Sequence, residues 1–234
     1  MFLANLPELF YTQMEEKTNP DFKLSRFLLD ILIDIAIVAV LVVFIRTLLF
    51  APFRVHGPSM CDTFNVYQGE CYNGDGEYIL VSRAPLWHIF GWVPDELERG
   101  DVVVFQAPYS EDGEYYIKRV IGLPGETILI ENGLVYLRNE AGDFIELDEP
   151  YLSEENAGNT FPHRSSSQTY EVPEDEYFVM GDNRTKSSDA RRCFQQLGCT
   201  SSTSPYLSMD FIQGEVKLVL FPFSHFRFIK DVSY

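Results

Sequence analysis

Residues 54–64 read Arg54-Val55-His56-Gly57-Pro58-Ser59-Met60-Cys61-Asp62-Thr63-Phe64. On the N-terminal side of this stretch lies the single membrane-length apolar segment of the sequence. On its C-terminal side the apolar pattern shortens to that of β-strands. A Gly-Pro bend therefore presents a serine at the junction, and the fold can be read outward from it.

Upstream, residues 27–53 read FLLDILIDIAIVAVLVVFIRTLLFAPF. The charge-free run, Ile35–Ile45, has 11 residues, a length that suits a buried helix or a signal-peptide core. Arg46 can snorkel towards an interface, and residues 47–53 are again apolar. Ile35–Phe53 then supplies 19 residues, about 28 Å as a helix and enough to span a bilayer. Asp30 and Asp34 fall one turn apart on one face and are expected near the first interface. No small-x-small cleavage site follows, so residues 27–53 are read as an uncleaved transmembrane signal anchor. Lys17, Lys23 and Arg26 precede it and favour a cytoplasmic tail, residues 1–26, with residues 54–234 outside.

Downstream, short β-branched or aromatic runs alternate with turn signals. They are residues 78–82, 101–105, 115–121, 127–131, 134–138, 177–180 and 214–221. Asn132-Gly133 between two of them is a hairpin signal. No long amphipathic helix follows residue 53 and no internal repeat is evident. The predicted fold class is mainly β: one N-terminal transmembrane helix, then a β-rich domain carrying an inserted cap. The cap, residues 139–173, is acidic and turn-rich and is expected to have no chemistry of its own. Residues 192–209 are expected to form a surface loop. Residues 85–94, with Trp87, Ile89, Phe90 and Trp92 crowded between prolines, read equally as a loop tucked into the core or as an apolar lip at a membrane interface.

The net charge of −17 leaves no basic face to neutralise phosphates and argues against nucleic acid. The first 50 residues hold 4 Lys/Arg and 6 Asp/Glu, so the acidity belongs to the later domain, where a solvated acidic surface is the plain reading. Four cysteines occur without a Cys-x-x-Cys, which disfavours a zinc knuckle or thioredoxin-type site. In an oxidising compartment Cys193 and Cys199 are the favoured pair, closing a short loop. Cys61 and Cys71 either pair or stay reduced.

A serine hydroxyl becomes a nucleophile only when a base takes its proton. The histidines, at 56, 88, 163 and 225, form no His-Glu-x-x-His helix, and Ser59 lacks a Gly-x-Ser-x-Gly elbow. A lysine can replace histidine if burial keeps it neutral. Lys118 lies in Tyr116-Ile117-Lys118-Arg119-Val120-Ile121-Gly122-Leu123-Pro124-Gly125-Glu126, where it shares a strand face with Tyr116 and Val120. A third stretch, Gly181-Asp182-Asn183-Arg184 continuing to Ser187, Asp189 and Arg191, reads by itself as a polar turn.

The serine box, the Arg99–Phe105 strand, the lysine box and the Gly-Asp-Asn-Arg box, in that order behind an anchor, resemble the type I signal peptidases. These are the membrane-anchored Ser/Lys proteases of family S26. The resemblance implies that Ser59 is the nucleophile and Lys118 the general base, with Ser187 holding the Lys118 amine. It makes Asp182 and Arg184 the structural heart of the last box and pairs Asp189 with Arg184 or Arg191. It places substrate contacts at Phe53, Val55, Met60, Tyr116 and Ile117, residues equally credible as ordinary core. The implied reaction removes signal peptides of exported preproteins after small-x-small sites. The implied setting is the outer face of the bacterial cytoplasmic membrane, in the lipid bilayer and close to the secretion translocon. No metal or organic cofactor is implied. This sequence departs from the pattern at Gly57, where some members carry an assisting serine, at Cys61, and at Asp62, where the family usually has proline. The alternatives are a maturation peptidase of narrow substrate range and a non-catalytic anchored β domain that binds peptides.

Overall fold

The computed structural model describes residues 20–82, 97–109, 113–230, 232 and 234; the aromatic stretch 85–94 lies outside them. The chain divides after Phe44 into a helical unit and a β unit.

The helical unit is α1 (Pro20–Phe44). Its stretch Arg26–Phe44 has 19 residues and a mean hydropathy of 2.9, long and apolar enough to cross a membrane. Asp30 and Asp34 lie inside that stretch. The sequence reading, which carried the helix to Phe53, is therefore corrected. Residues Ile45–Leu49 form a π-helical turn, and a strand begins at Phe50. The reason is local: Pro52 has no N–H for a helical bond, and the residue before a proline prefers extended backbone.

The β unit begins with β1 (Phe50–His56), β2 (Val66–Tyr67), β3 (Glu70–Cys71), β4 (Asp75–Ser82) and β5 (Val102–Gln106). It continues through β6 (Tyr115–Gly122), β7 (Thr127–Glu131), β8 (Leu134–Arg138), β9 (Phe144–Glu146) and β10 (Ser167–Glu171). It ends with β11 (Glu176–Met180), β12 (Leu207–Ser208), β13 (Ile212–Phe221) and β14 (Arg227–Phe228). The main antiparallel sheet has the order β1-β4-β13-β5-β6-β11-β12, with β14 added beside β13. β1 is an edge strand, and this is why it tolerates Pro52.

The apolar run of β5 has a physical explanation. Val103 and Phe105 point into one core, with Val120, Phe178 and Val179. Val102 and Val104 point into another, with Val55, Phe64, Ile79 and Val216. A strand buried on both faces needs no polar alternation.

A second sheet, β10-β7-β8-β9, stands beside the first. It enlarges the expected cap, because the hairpin 127–138 belongs to it as much as residues 139–173 do. Asn132 (φ 53°) and Gly133 (φ 86°) both take the left-handed backbone that the Asn-Gly signal implies. At Gly133 a Cβ would meet the Gly158 carbonyl oxygen at 1.9 Å, so the loop 150–160 can close onto the turn only over glycine.

Glu77 on β4 is fully buried and stitches the main sheet to the turn after Ser59. It accepts from the Asn65 N–H (3.1 Å) and from Arg227 Nη1 (2.7 Å), and its Oε1 lies 2.8 Å from His225 Nδ1. Burial pushes its carboxyl up, but Arg227, His225 and the Asn65 N–H more than offset this and hold it below the usual range. Glu77→Ala strands these partners. It is expected to cost about 3 kcal/mol of stability, read by urea denaturation of the detergent-solubilised protein; an unchanged midpoint would contradict the assignment.

Candidate active site

Ser59 lies in the turn that follows β1. Gly57 has φ +78°, and the turn closes through Cys61 N–H to the Pro58 carbonyl (3.0 Å) and Phe64 N–H to the Met60 carbonyl (2.9 Å). The Ser59 carbonyl accepts from the Asn183 N–H at 3.1 Å, which lays the serine against the Gly181–Arg184 turn. Gly181 permits that approach, because a Cβ there would meet the Ser59 carbonyl oxygen at 2.4 Å and Ser187 Oγ at 2.3 Å.

β6 delivers Lys118. Its amine is buried, lies 2.9 Å from Ser59 Oγ, and donates to the Ile117 carbonyl at 2.7 Å. The Tyr116 ring lies beside it, with the ammonium nitrogen 5.3 Å from the centroid. Burial lowers the Lys118 pKa to about 8; Asp189 and Asp182 oppose the shift, and Arg191 adds to it.

The structure chooses between the two arginines that the sequence left open for Asp189. Asp189 takes Arg191, with Nη2 to Oδ2 at 2.8 Å, and not Arg184. Burial pushes the Asp189 carboxyl up, but Arg191 and the Gly181 N–H outweigh this and hold it low. Arg184 takes Glu149 of the cap, Nη1 to Oε2 at 2.9 Å, and Thr160 Oγ1 at 2.7 Å. This pair ties the cap to the Gly181–Arg184 turn. Asp182 takes Arg119, Nε to Oδ1 at 2.9 Å and Nη2 to Oδ2 at 2.7 Å, and accepts from Thr63 Oγ1 at 2.6 Å.

Ser187 is buried one layer behind the amine. Its Oγ makes no hydrogen bond of normal geometry, although it leans towards the Asp189 carboxylate and adds to its stabilisation. Its expected hydrogen bond with the Lys118 amine is not made; that amine meets Ser59 Oγ and the Ile117 carbonyl.

A cleft of about 560 Å³ opens onto the pair, lined by Phe53, Val55, Ser59, Tyr116, Ile117 and Lys118. Met60, expected among these, instead packs with Phe64 and Ile79 in the core. Cys193 bonds Cys199, the favoured pair, and Cys61 bonds Cys71, a pair the sequence left open. Sequence reasoning missed Arg119, Glu149 and Tyr151. Arg119 carried a readable signal, since strand alternation turns it away from Lys118 into a neighbourhood that must supply an anion. Glu149 and Tyr151, in a loop of many acids, carried none.

The buried amine makes stability depend on pH. An unfolded lysine titrates near 10.5, but the folded one titrates at about 8. Between these values the unfolded chain binds the extra proton, so stability rises with pH across that window and the whole cost is present below it. Lys118→Met is therefore expected to be more stable than wild type at pH 7, by up to about 3 kcal/mol. The gain should shrink as pH climbs from about 8 to 10.5. Denaturation curves at four pH values test this, and a gain independent of pH would contradict it.

Comparison with known proteins places these residues in a family. Residues 28–221 match the family model described as signal peptidase, peptidase S26. Signal peptidase I P of Bacillus subtilis subsp. natto is 33% identical over 82% of this chain and 88% of its own. Signal peptidase I U of Bacillus subtilis strain 168 is 32% identical over 84% and 89%. A signal peptidase I of Bacillus amyloliquefaciens is 34% identical over 82% and 88%. A membrane-length helix, a β-rich unit and a match across most of the chain agree, and the chain is a member of the peptidase S26 signal peptidase family.

Proposed function

We propose that this protein is a membrane-anchored serine endopeptidase that removes signal peptides from exported proteins, with Ser59 as nucleophile and Lys118 as general base. The observation that carries the reading is a buried, pKa-depressed amine 2.9 Å from a serine hydroxyl in an open cleft. Neutral Lys118 takes the Ser59 proton as Oγ attacks the scissile carbonyl. The ammonium then gives that proton to the leaving amine, and an ester remains on Ser59. Water, deprotonated by the same lysine, cleaves the ester and regenerates the hydroxyl. The Ser59 N–H has no acceptor among the described residues, and it stabilises the developing oxyanion. Asp182, Arg184, Asp189 and Ser187 support the pair by holding the turn behind it.

The cleft suits an extended peptide. Among the described residues, β1 pairs only with β4, and the Tyr115–Ile117 half of β6 pairs only with β5. Two unpaired strand edges therefore border the cleft, and a substrate strand can add to them by backbone hydrogen bonds. Phe53, Val55, Tyr116 and Ile117 leave an apolar lining that selects small side chains beside the cut.

The setting follows from the same features. The span Arg26–Phe44 anchors the chain in the cytoplasmic membrane, with the tail inside and the β unit outside. Two disulfides fit an extracytoplasmic location. Anchoring confines enzyme and signal peptide to one layer near the secretion translocon, which raises their effective concentration.

Cleavage of a fluorescent peptide carrying an Ala-x-Ala site, in detergent, tests the reading. Wild type is expected to cut after the second alanine, with Ser59→Ala and Lys118→Met reduced at least 1,000-fold, a rough figure. The wild-type rate should rise with pH through about 8, because Lys118 acts only after losing its proton. Undiminished cutting by Lys118→Met, or a rate flat across that range, would sink the lysine base.

A further inference from the structure

The turn that carries Ser59 is fastened on its outer side by the cap. Asp62 sits at φ +148°, a backbone state that proline cannot adopt and that other side chains rarely take. Its carboxylate accepts from the Ser153 N–H at 2.8 Å and from Asn156 Nδ2 at 3.0 and 3.1 Å. Asn156 is itself buried, and its Oδ1 has no partner. The amide therefore leaves one oxygen unsatisfied, at a cost, while its NH2 faces Asp62.

The same cap segment reaches the site twice more. The Tyr151 ring stacks on the Arg119 guanidinium, with its centroid 4.0 Å from Cζ. Glu149 holds Arg184. The segment from Glu149 to Asn156 thus touches the nucleophile turn, the strand of the base and the Gly181–Arg184 turn.

We propose that Asp62 is a positioning residue for catalysis: through Ser153 and Asn156 it ties the nucleophile turn to the cap and so sets Ser59 Oγ against Lys118. Asp62 is separated from Ser59 by two residues in a turn closed by the Cys61–Pro58 and Phe64–Met60 hydrogen bonds, so a shift at one passes to the other. Inside the turn, the Asn183 N–H holds Ser59 from the opposite side. Asp62 supplies the outer constraint as a hydrogen-bonded tie.

The inference rests on the peptidase reading, and the full-length protein in detergent tests it. Asp62→Gly keeps the positive φ without strain and removes the tie, with some added backbone freedom; Asn156→Ala removes one of its partners and leaves the turn's own residues intact. Each is expected to lower kcat about tenfold or more with KM within about twofold. The pH midpoint near 8 should stay in place, because the burial and the Asp189, Asp182 and Arg191 charges that set it are untouched. The double variant should lose no more than the worse single one, since both break one tie. Hydrogen exchange gives an arm independent of activity, in which residues 57–64 should exchange faster in Asp62→Gly. Wild-type kcat in folded Asp62→Gly, a loss carried by KM alone, losses that multiply in the double variant, or unchanged exchange over residues 57–64 would each overturn the proposal. An inert wild type would instead strike the peptidase reading, leaving the exchange result to decide the tie.

Discussion

The buried pair Arg119–Asp182 holds the architecture of the site together. Arg119 is adjacent to Lys118 on β6, Asp182 lies in the turn that backs Ser59, and Thr63, in the Ser59 turn, donates to Asp182 and accepts from Arg119 Nη2 at 2.9 Å. Three segments far apart in sequence meet in one hydrogen-bonded cluster around a buried ion pair. Removing either charge would leave the other buried and unpaired, a loss on the order of 3–5 kcal/mol. Strand alternation makes the arrangement possible: consecutive residues of β6 face opposite ways. One strand therefore sends the Lys118 amine into the cleft and a permanent cation into the wall behind it.

That division explains how charge can be abundant around a lysine whose pKa is lowered. Asp182 and Asp189 lie close enough to raise the Lys118 pKa, yet each is matched by its own arginine. The net field at the amine is small, and desolvation prevails. Guanidinium suits this role because it stays protonated when buried and fills several acceptors at fixed angles. Arg119 and Arg184 each satisfy more than one partner, and Glu149 and Tyr151 extend the network into the cap. The cap is thus an outer wall of the site as well as a covering sheet.

Much of this was legible beforehand because it depends on local chemistry. The Asn132-Gly133 turn, the continuously apolar β5 and the short Cys193–Cys199 loop each follow from a few neighbouring residues. The end of α1 was misread because hydropathy does not distinguish an apolar helix from an apolar edge strand; Pro52 and pairing with β4 decide between them. Met60 was misassigned for a similar reason. In a tight turn, direction depends on backbone angles, and those angles send Met60 inward while Ser59 faces the cleft.

By itself, the amino-acid sequence determined the anchor-then-β order, the identity of the serine and lysine boxes, and the absence of a basic face. These are properties of composition and short-range pattern, which survive whatever the chain does at long range. The tertiary structure alone decided which arginine meets which carboxylate, that Asp62 reaches across to Asn156, and that Ser187 stands behind the amine without bonding it. Such choices depend on distances between residues scores of positions apart, set by sheet order and by which side chains two packed cores leave room for. Ionic and hydrogen-bonding partners are interchangeable in sequence, but once buried each has a fixed position and few neighbours, and that selects the pairing.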